Sequence, residues 1–326
     1  MSNSWRALAK MARDLIVASD PEDLSRILDL WSLRLSALAR LRLTNQASAE
    51  CDNLFAVLNA VAVHPAHAPD MLSAYPFELS VLRARVRYWA GDVKGYIDML
   101  AGLLVGCKAN ARMEGKRGKA NLSMWLERAA RVCLMIASQL VEMKDYHAAI
   151  KLLEPLCMQR LSPSPSGPLT ASHSIHSAVG RVHLLSGNLQ KAAEHFGIVA
   201  SCVDAGESTV AMNTALMCSA TGDWSHAEAA LKKVLEHDPQ NYTATNNLAV
   251  TLLAQGRVKD GIELLESAMR ESPASVLVAE PFIFNLSTLY ELRSSTAMDN
   301  KRELLVEVAR WSGDGLKATC LKMPPN

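Results

Sequence analysis

The stretch Gly222-Asp223-Trp224-Ser225-His226-Ala227 recurs on both sides of itself in the sequence. An earlier copy runs over Gly187–Ala192 and a later one over Gly256–Gly261, so that the three leading glycines are separated by 35 and 34 residues. Pro239 and Pro273 are also 34 residues apart. A segment that returns at a fixed interval indicates an array of repeated structural units.

Each shared residue has a physical reason in a helical hairpin. A glycine closes the C-terminus of the first helix, because it adopts the left-handed conformation without steric cost. A small residue lets the second helix cross close to the first, and an apolar residue follows one helical turn later on the same face. The small residues are Ala192, Ala227 and Gly261, and the apolar ones are Phe196, Leu231 and Leu265. Proline then ends the second helix. The 34-residue period predicts an all-α, tetratricopeptide-like solenoid of helical hairpins.

The pattern extends in both directions with less fidelity. We predict further helices over 124–141, 77–90, 93–108 and 300–310, and helices throughout the first 60 residues. Two segments are predicted to be loops, the basic stretch 108–119 and the Ser/Pro/Gly-rich stretch within 161–172. The predicted organisation is an N-terminal helical region with degenerate hairpins over 1–120 and a tetratricopeptide array over 121–326.

Bulk composition limits the classes of function. Among the 326 residues, 49% are hydrophobic and the formal net charge is +1, so a large core is possible and nucleic acid is not an expected partner. The seven cysteines are scattered and form no CxxC pair, which is typical of reduced thiols in a cytoplasmic protein. No stretch has the length and apolarity of a membrane span, so no membrane-crossing helix is expected.

No catalytic, cofactor-binding or metal-binding motif is found. The largest histidine cluster is His173, His176 and His183, but no cysteine lies near it in the sequence, and we expect no metal site. Residues 115–119 contain two glycines among basic residues without the spacing of a phosphate-binding loop. The sequence therefore predicts a protein that is not an enzyme and needs no cofactor.

Protein binding is the remaining use of the surface. In a tetratricopeptide array, the first helices of successive hairpins line a groove, and here the register assigns to it Arg181, Met212, Leu216, Asn246, Val250 and Leu253. This mostly apolar groove suits a helix or an extended segment of a partner, or equally the chain's own termini. The alternative is a free co-chaperone that binds a peptide carboxylate. Asn213 and Asn247 fit that alternative, but paired basic residues are absent, and asparagine at this position is commonly structural.

Several stretches outside the repeat consensus resemble subunit 12 of the TRAPP membrane-trafficking complex. The most specific is Arg34-Leu35-Ser36-Ala37-Leu38-Ala39-Arg40-Leu41-Arg42-Leu43-Thr44-Asn45-Gln46-Ala47-Ser48-Ala49-Glu50. The others are Asn53–Phe55, Pro76–Leu79, Arg83–Asp92, Ala137–Asp145, Phe284–Leu292 and Cys320–Lys322. The resemblance covers residues 5–322, nearly the whole chain.

The resemblance implies a non-catalytic scaffold subunit of a TRAPP III-type complex. Its partners would be the TRAPP core and the large subunits 8, 11 and 13, and, indirectly, a Rab GTPase whose nucleotide exchange the complex promotes. The implied setting is endoplasmic-reticulum-to-Golgi vesicle transport and autophagy, in the cytoplasm at the surface of early secretory membranes such as the Golgi apparatus, with membrane contact only through the complex. Animal members often carry a long polar N-terminal extension that is not part of this sequence, so the resemblance does not reach the functions of that extension.

Overall fold

A computed structural model describes residues 4–63, 76–117, 121–157, 173–293 and 296–323. All regular secondary structure within these ranges is helical, which confirms the all-α, tetratricopeptide-like fold class. The helices are α1 (Trp5–Ala18), α2 (Leu24–Arg40), α3 (Thr44–Val63), α4 (Phe77–Trp89), α5 (Val93–Arg117), α6 (Leu122–Glu142), α7 (Tyr146–Cys157), α8 (His173–Leu185), α9 (Leu189–Ser201), α10 (Glu207–Thr221), α11 (Trp224–His237), α12 (Tyr242–Ala254), α13 (Val258–Glu271), α14 (Pro273–Val276), α15 (Glu280–Arg293) and α16 (Ala297–Trp311), followed by short 3-10 helices at Gly313–Gly315 and Ala318–Leu321.

The repeated turn has the predicted glycine conformation. Gly187, Gly222 and Gly256 have φ values of 81°, 79° and 78°, all left-handed. After Gly222, the Asp223 N–H donates to the Cys218 carbonyl at 2.8 Å, the six-residue closure expected of a glycine-terminated helix. The Asp223 carboxylate then accepts the N–H of His226 and caps the start of α11. One dipeptide thus ends a helix and begins the next.

The small residues lie where the helices of a hairpin cross, as predicted. Ala192 and Ala227 are fully buried. A Cβ added to Gly261 would lie 3.3 Å from the Ala249 carbonyl oxygen, so the α12–α13 crossing has no room for a larger side chain without adjustment. Leu231 and Leu265, one turn after the crossing, are also buried. The hairpins therefore pack through the contacts that the repeat pattern indicates.

The described residues divide into two compact units. One is drawn from Ser2–Val132 with Gly313–Gly315, and the other from Cys133–Ser312 with Leu316–Asn326. The predicted loop at 161–172 lies outside the described residues. The predicted loop at 108–119 is wrong over most of its length, because α5 continues to Arg117. Cys107 and Ala111 lie one turn apart and are both buried, so the core face of α5 continues, and this packing outweighs the low helix propensity of Gly115.

An arginine that carries part of the family resemblance is buried in the first unit. The Arg34 guanidinium donates from Nε to Glu50 Oε2 at 2.6 Å and from Nη1 to the Ala9 carbonyl oxygen at 2.8 Å. Its Nη2 also donates to Glu50 Oε1. The fork geometry of arginine suits this bidentate pairing. One side chain therefore connects α1, α2 and α3.

Replacing Lys144 by Gly is expected to stabilise the second unit. Lys144 occupies the turn position that glycine holds in the later repeats, with a left-handed φ of 63°. Because that conformation costs a side-chain-bearing residue about 1 kcal/mol, we expect the free energy of unfolding to rise by about that amount in urea denaturation. Lys151→Gly, at an exposed site inside α7, is the matched control and should lower it by about 1 kcal/mol. Loss of stability in Lys144→Gly would contradict the proposed strain.

Candidate functional site

Helices α6, α8, α10 and α12 line two adjoining cavities in the second unit. The first, of about 490 Å³, lies against α6, α7, α8 and α10, and the second, of about 670 Å³, lies against α8, α10 and α12. Arg181 and Thr209 line both cavities, so the two are continuous. We call this pair of cavities the groove. It follows the first helices of successive hairpins, where tetratricopeptide arrays hold their partners.

Hydrogen bonds between neighbouring first helices position the floor of the groove. Ser177 Oγ donates to Asn213 Oδ1 at 2.8 Å, and Arg181 Nη2 approaches the same oxygen at 3.5 Å. Asn247 Nδ2 lies 3.7 Å from the sulfur of Met212, which connects α10 to α12. Asn213 is almost fully buried. It therefore connects α8 to α10, in agreement with the interpretation of this asparagine as structural.

The lining of the groove is mainly apolar and nearly uncharged. Among its described lining residues, Arg181 carries the one formal charge. The apolar contributors include Leu134, Val141, Leu184, Leu185 and Leu216. A surface with these properties favours an apolar segment that also presents an acceptor to Arg181. It does not favour an acidic peptide terminus, which paired basic side chains would bind.

The structure brings together three of the six residues predicted for the groove. Arg181, Met212 and Leu216 line the larger cavity, although Met212 is mostly buried. Asn246, Val250 and Leu253 also lie on α12, but they line neither cavity. The Asn246 Oδ1 accepts from Asn285 Nδ2 at 2.9 Å, Val250 is exposed, and Leu253 packs against the core between α12, α13 and α15. Binding by any of the six stays a prediction.

Of the three histidines in the predicted cluster, the structure buries two and leaves the third partly exposed. His176 and His183 are buried, whereas His173 is half-exposed at the start of α8. His195 of α9 joins the two buried histidines. Its Nδ1 lies 3.0 Å from Nδ1 of His176, and its ring stacks on that of His183 with centroids 5.4 Å apart.

Burial lowers the pKa of all three clustered histidines, so their neutral forms are favoured at neutral pH. For His195, the charges of His176 and His183 lower the pKa further. Burial also raises the pKa of the nearby Cys157 thiol to about 11. The sequence reasoning missed His195 and Cys157. The seven-residue spacing of His176 and His183 places them two turns apart on one helix face, but no spacing along the chain indicates that His195 and Cys157 join them.

Within the described part of the chain, no helix combines the length and apolar content that crossing a membrane requires.

Comparison with known proteins gives two kinds of match: a repeat family over part of the chain, and two curated proteins over 91% of it. Residues 220–279 match the tetratricopeptide repeat family model. A computed fold comparison with a tetratricopeptide repeat protein from Parabacteroides merdae gives a TM-score of 0.47 at 10% identity, with 98% of this chain and 96% of that one covered.

Sequence similarity to two curated proteins extends well beyond the residues that match the repeat family. Trafficking protein particle complex subunit 12 of Homo sapiens is 28% identical over 322 residues, which cover 91% of this chain and 42% of the human protein. The Mus musculus protein of the same name is 29% identical, with 91% of this chain and 39% of the mouse protein covered. This chain thus spans about two fifths of the length of the curated relatives that it matches. The chain contains tetratricopeptide repeats, and along 91% of its length it is similar in sequence to subunit 12 of the trafficking protein particle complex.

Proposed function

We propose that this chain is a non-catalytic scaffold subunit of a TRAPP III-type complex and that its groove binds an apolar segment of another subunit. The observation that carries the proposal is the nearly uncharged, mainly apolar groove along α6, α8, α10 and α12. Apolar grooves between helices bind a helix or an extended segment chiefly by removing apolar surface from water. The sequence similarity supports the choice of complex, because it covers both units and not only residues 220–279.

In this proposal the chain contributes contacts and no chemistry. The complex as a whole promotes nucleotide exchange on a Rab GTPase in endoplasmic-reticulum-to-Golgi transport and autophagy, and the core subunits carry that reaction. The partners are the core and the large subunits 8, 11 and 13, at the surface of early secretory membranes. A groove whose described lining has one charged residue offers binding surface but no paired acid and base.

Affinity purification tests this function. The tagged chain is recovered from its native cells, and the eluate is analysed by gel filtration and mass spectrometry. We expect the TRAPP core and the large subunits to elute with the chain in one high-mass peak. A small peak without TRAPP subunits would overturn the assignment. Recovery of a chaperone alone would favour the co-chaperone alternative instead.

A charge placed in the groove should weaken the complex. Leu185 lines the larger cavity with 58% of its surface exposed, so Leu185→Glu leaves the core intact. Burying the new carboxylate against an apolar partner segment would cost at least about 1.4 kcal/mol, so we expect recovery of the groove-bound subunit to fall about tenfold or more.

The matched control is Ile198→Glu in α9. Ile198 is 44% exposed and lines neither cavity, so this variant adds the same charge to the same unit outside the groove. It should recover partners as the original chain does. Circular dichroism checks that both variants fold. Equal recovery by the two variants would show that the groove is not the contact surface.

A further inference from the structure

Three consecutive helices bring one sulfur and two imidazole ligands to a single buried point. Cys157 is the last residue of α7, His176 lies in the first half of α8, and His195 lies in the middle of α9. One ligand atom of each residue lies within 4.8 Å of the others. Cys157 and His176 are 2% and 4% exposed, whereas His195 is partly exposed, so two of the three ligands are withdrawn from solvent.

A fourth side chain at this point lacks the partners that its burial demands. His183 is 6% exposed, and neither of its ring nitrogens has a hydrogen-bond partner among the described residues. It stacks on His195 with an angle of 26° between the rings. Buried polar groups in proteins nearly always have a partner, and an ion or a water molecule is one way to supply it. This observation is independent of the distances between the other three residues.

The donor set selects the class of metal. Two imidazole nitrogens and one thiolate sulfur are ligands that Zn²⁺ prefers, whereas Mg²⁺ and Ca²⁺ prefer oxygen. In a tetrahedral zinc site with Zn–N bonds of about 2.0–2.1 Å, two nitrogens lie about 3.3 Å apart. The Nδ1 atoms of His176 and His195 are 3.0 Å apart. A separation about 0.3 Å larger, reached by small side-chain rotations, would admit the ion between them.

We propose that Cys157, His176 and His195 bind one Zn²⁺ ion, which fastens the end of α7 to the α8–α9 hairpin. Cys157 binds as the thiolate and releases its proton to solvent when the ion enters. Three protein ligands leave one tetrahedral position for a water molecule, and His183 lies beside the site with its ring stacked on that of His195. Because the ligands come from three successive helices and two of them are buried, we assign the ion a structural role. The site is separate from the groove, since none of these four residues lines either cavity.

The first test measures metal content in the purified full chain. The chain is expressed with zinc in the medium, dialysed against a weak chelator and analysed by plasma mass spectrometry, with an expected content of about one zinc per chain. Cys157→Ser and His195→Gln should each lose it. The matched controls are Cys202→Ser, which removes a thiol that is only partly buried, and His226→Gln, which removes an exposed imidazole. Both controls should keep the ion.

The second test uses Co²⁺ as a spectroscopic probe of the metal-free chain. Tetrahedral cobalt should give visible d–d bands, and a thiolate ligand should add a near-ultraviolet charge-transfer band that disappears in Cys157→Ser. Zinc should also raise the Tm of the original chain and not that of His195→Gln. If the ligand variants do not fold, the spectrum of the original chain still decides the question. If the chain holds no zinc and gives no cobalt bands, His176 and His195 form only a hydrogen-bonded pair. If the ligand variants hold as much metal as the original chain, the ion binds elsewhere. Either result overturns the proposal.

Neither test involves TRAPP subunits, so its failure leaves the proposed scaffold function untouched.

Discussion

Leu231→Ala is expected to lower the free energy of unfolding by about 2–5 kcal/mol. Leu231 is 1% exposed and lies on α11, where it packs with Ala215 of α10 and Leu248 of α12 in one core cluster. The substitution removes three carbon atoms, Cγ and both Cδ methyl groups, from this contact and leaves a cavity between two successive hairpins. Because each hairpin buries its apolar face only against its neighbours, the loss weakens the array as well as one repeat. Urea denaturation followed by circular dichroism measures the effect.

The control for this substitution is Leu292→Ala. Leu292 is 59% exposed on α15, so the same atoms are removed without a cavity. Its free energy of unfolding should change by about 0.5 kcal/mol or less. A similarly small change in Leu231→Ala would mean that the repeat register assigned to α11 is wrong.

Glu50→Gln should destabilise the first unit by about 3 kcal/mol, the lower end of the cost of breaking a buried ion pair. The substitution preserves the shape of the side chain but removes the charge that faces the Arg34 guanidinium. The Arg34 side chain is 9% exposed and that of Glu50 21% exposed, so the arginine charge would be left buried without its counterion. The measurement is again urea denaturation, with the original chain and the variant compared at neutral pH.

An exposed ion pair in the same unit provides the comparison. Glu127 accepts from Arg131 at 2.6 Å, with both side chains more than half exposed. Solvent screens such a pair, so Glu127→Gln should cost about 0.5 kcal/mol or less. Equal effects of Glu50→Gln and Glu127→Gln would contradict a structural role for the Arg34–Glu50 pair.

The contribution of Glu50 should also depend on pH in a defined direction. Burial raises the pKa of Glu50, but hydrogen bonds from Arg34 and Gln46 and the Arg34 charge lower it by more, so the folded-state pKa is below the ordinary value of 4.5. A lowered carboxyl pKa gives stability that is complete above the unfolded-state pKa and is lost as the pH falls through the folded-state pKa. The stability difference between the original chain and Glu50→Gln should therefore shrink in acid. A difference that grows in acid would contradict the pairing.

Local chain chemistry explains why so much of the fold was predictable. The left-handed glycine at position 222, the cap that Asp223 supplies and the small residue at 227 act on neighbours within one or two helical turns. Their 34-residue recurrence can therefore be read from the sequence alone. The incorrect prediction of a loop at 108–119 also came from reading local residue types alone. Charge and glycine favoured a loop, but the burial of Ala111 against the core, which the sequence does not show, kept the chain helical.

The candidate sites depend on contacts between helices, and there the sequence was less informative. It placed Arg181, Met212 and Leu216 at the groove, but it also placed Asn246, Val250 and Leu253 there. The cavity ends at α12, which contributes Thr243 and Asn247 to its lining instead. The family resemblance included Arg34 and Glu50 without indicating that they form a buried ion pair across α2 and α3. Their pairing needs both helices in place.

The sequence by itself determined the helical repeat, its turns, its crossing residues and the family resemblance, because these follow from residues close in the chain or from direct comparison of residues. Only the tertiary structure decided which side chains line the groove. It also decided that His195 and Cys157 join His176 at one buried point. These residues lie on three different helices, and the distances between them are fixed by how the helices pack, which no spacing along the chain specifies.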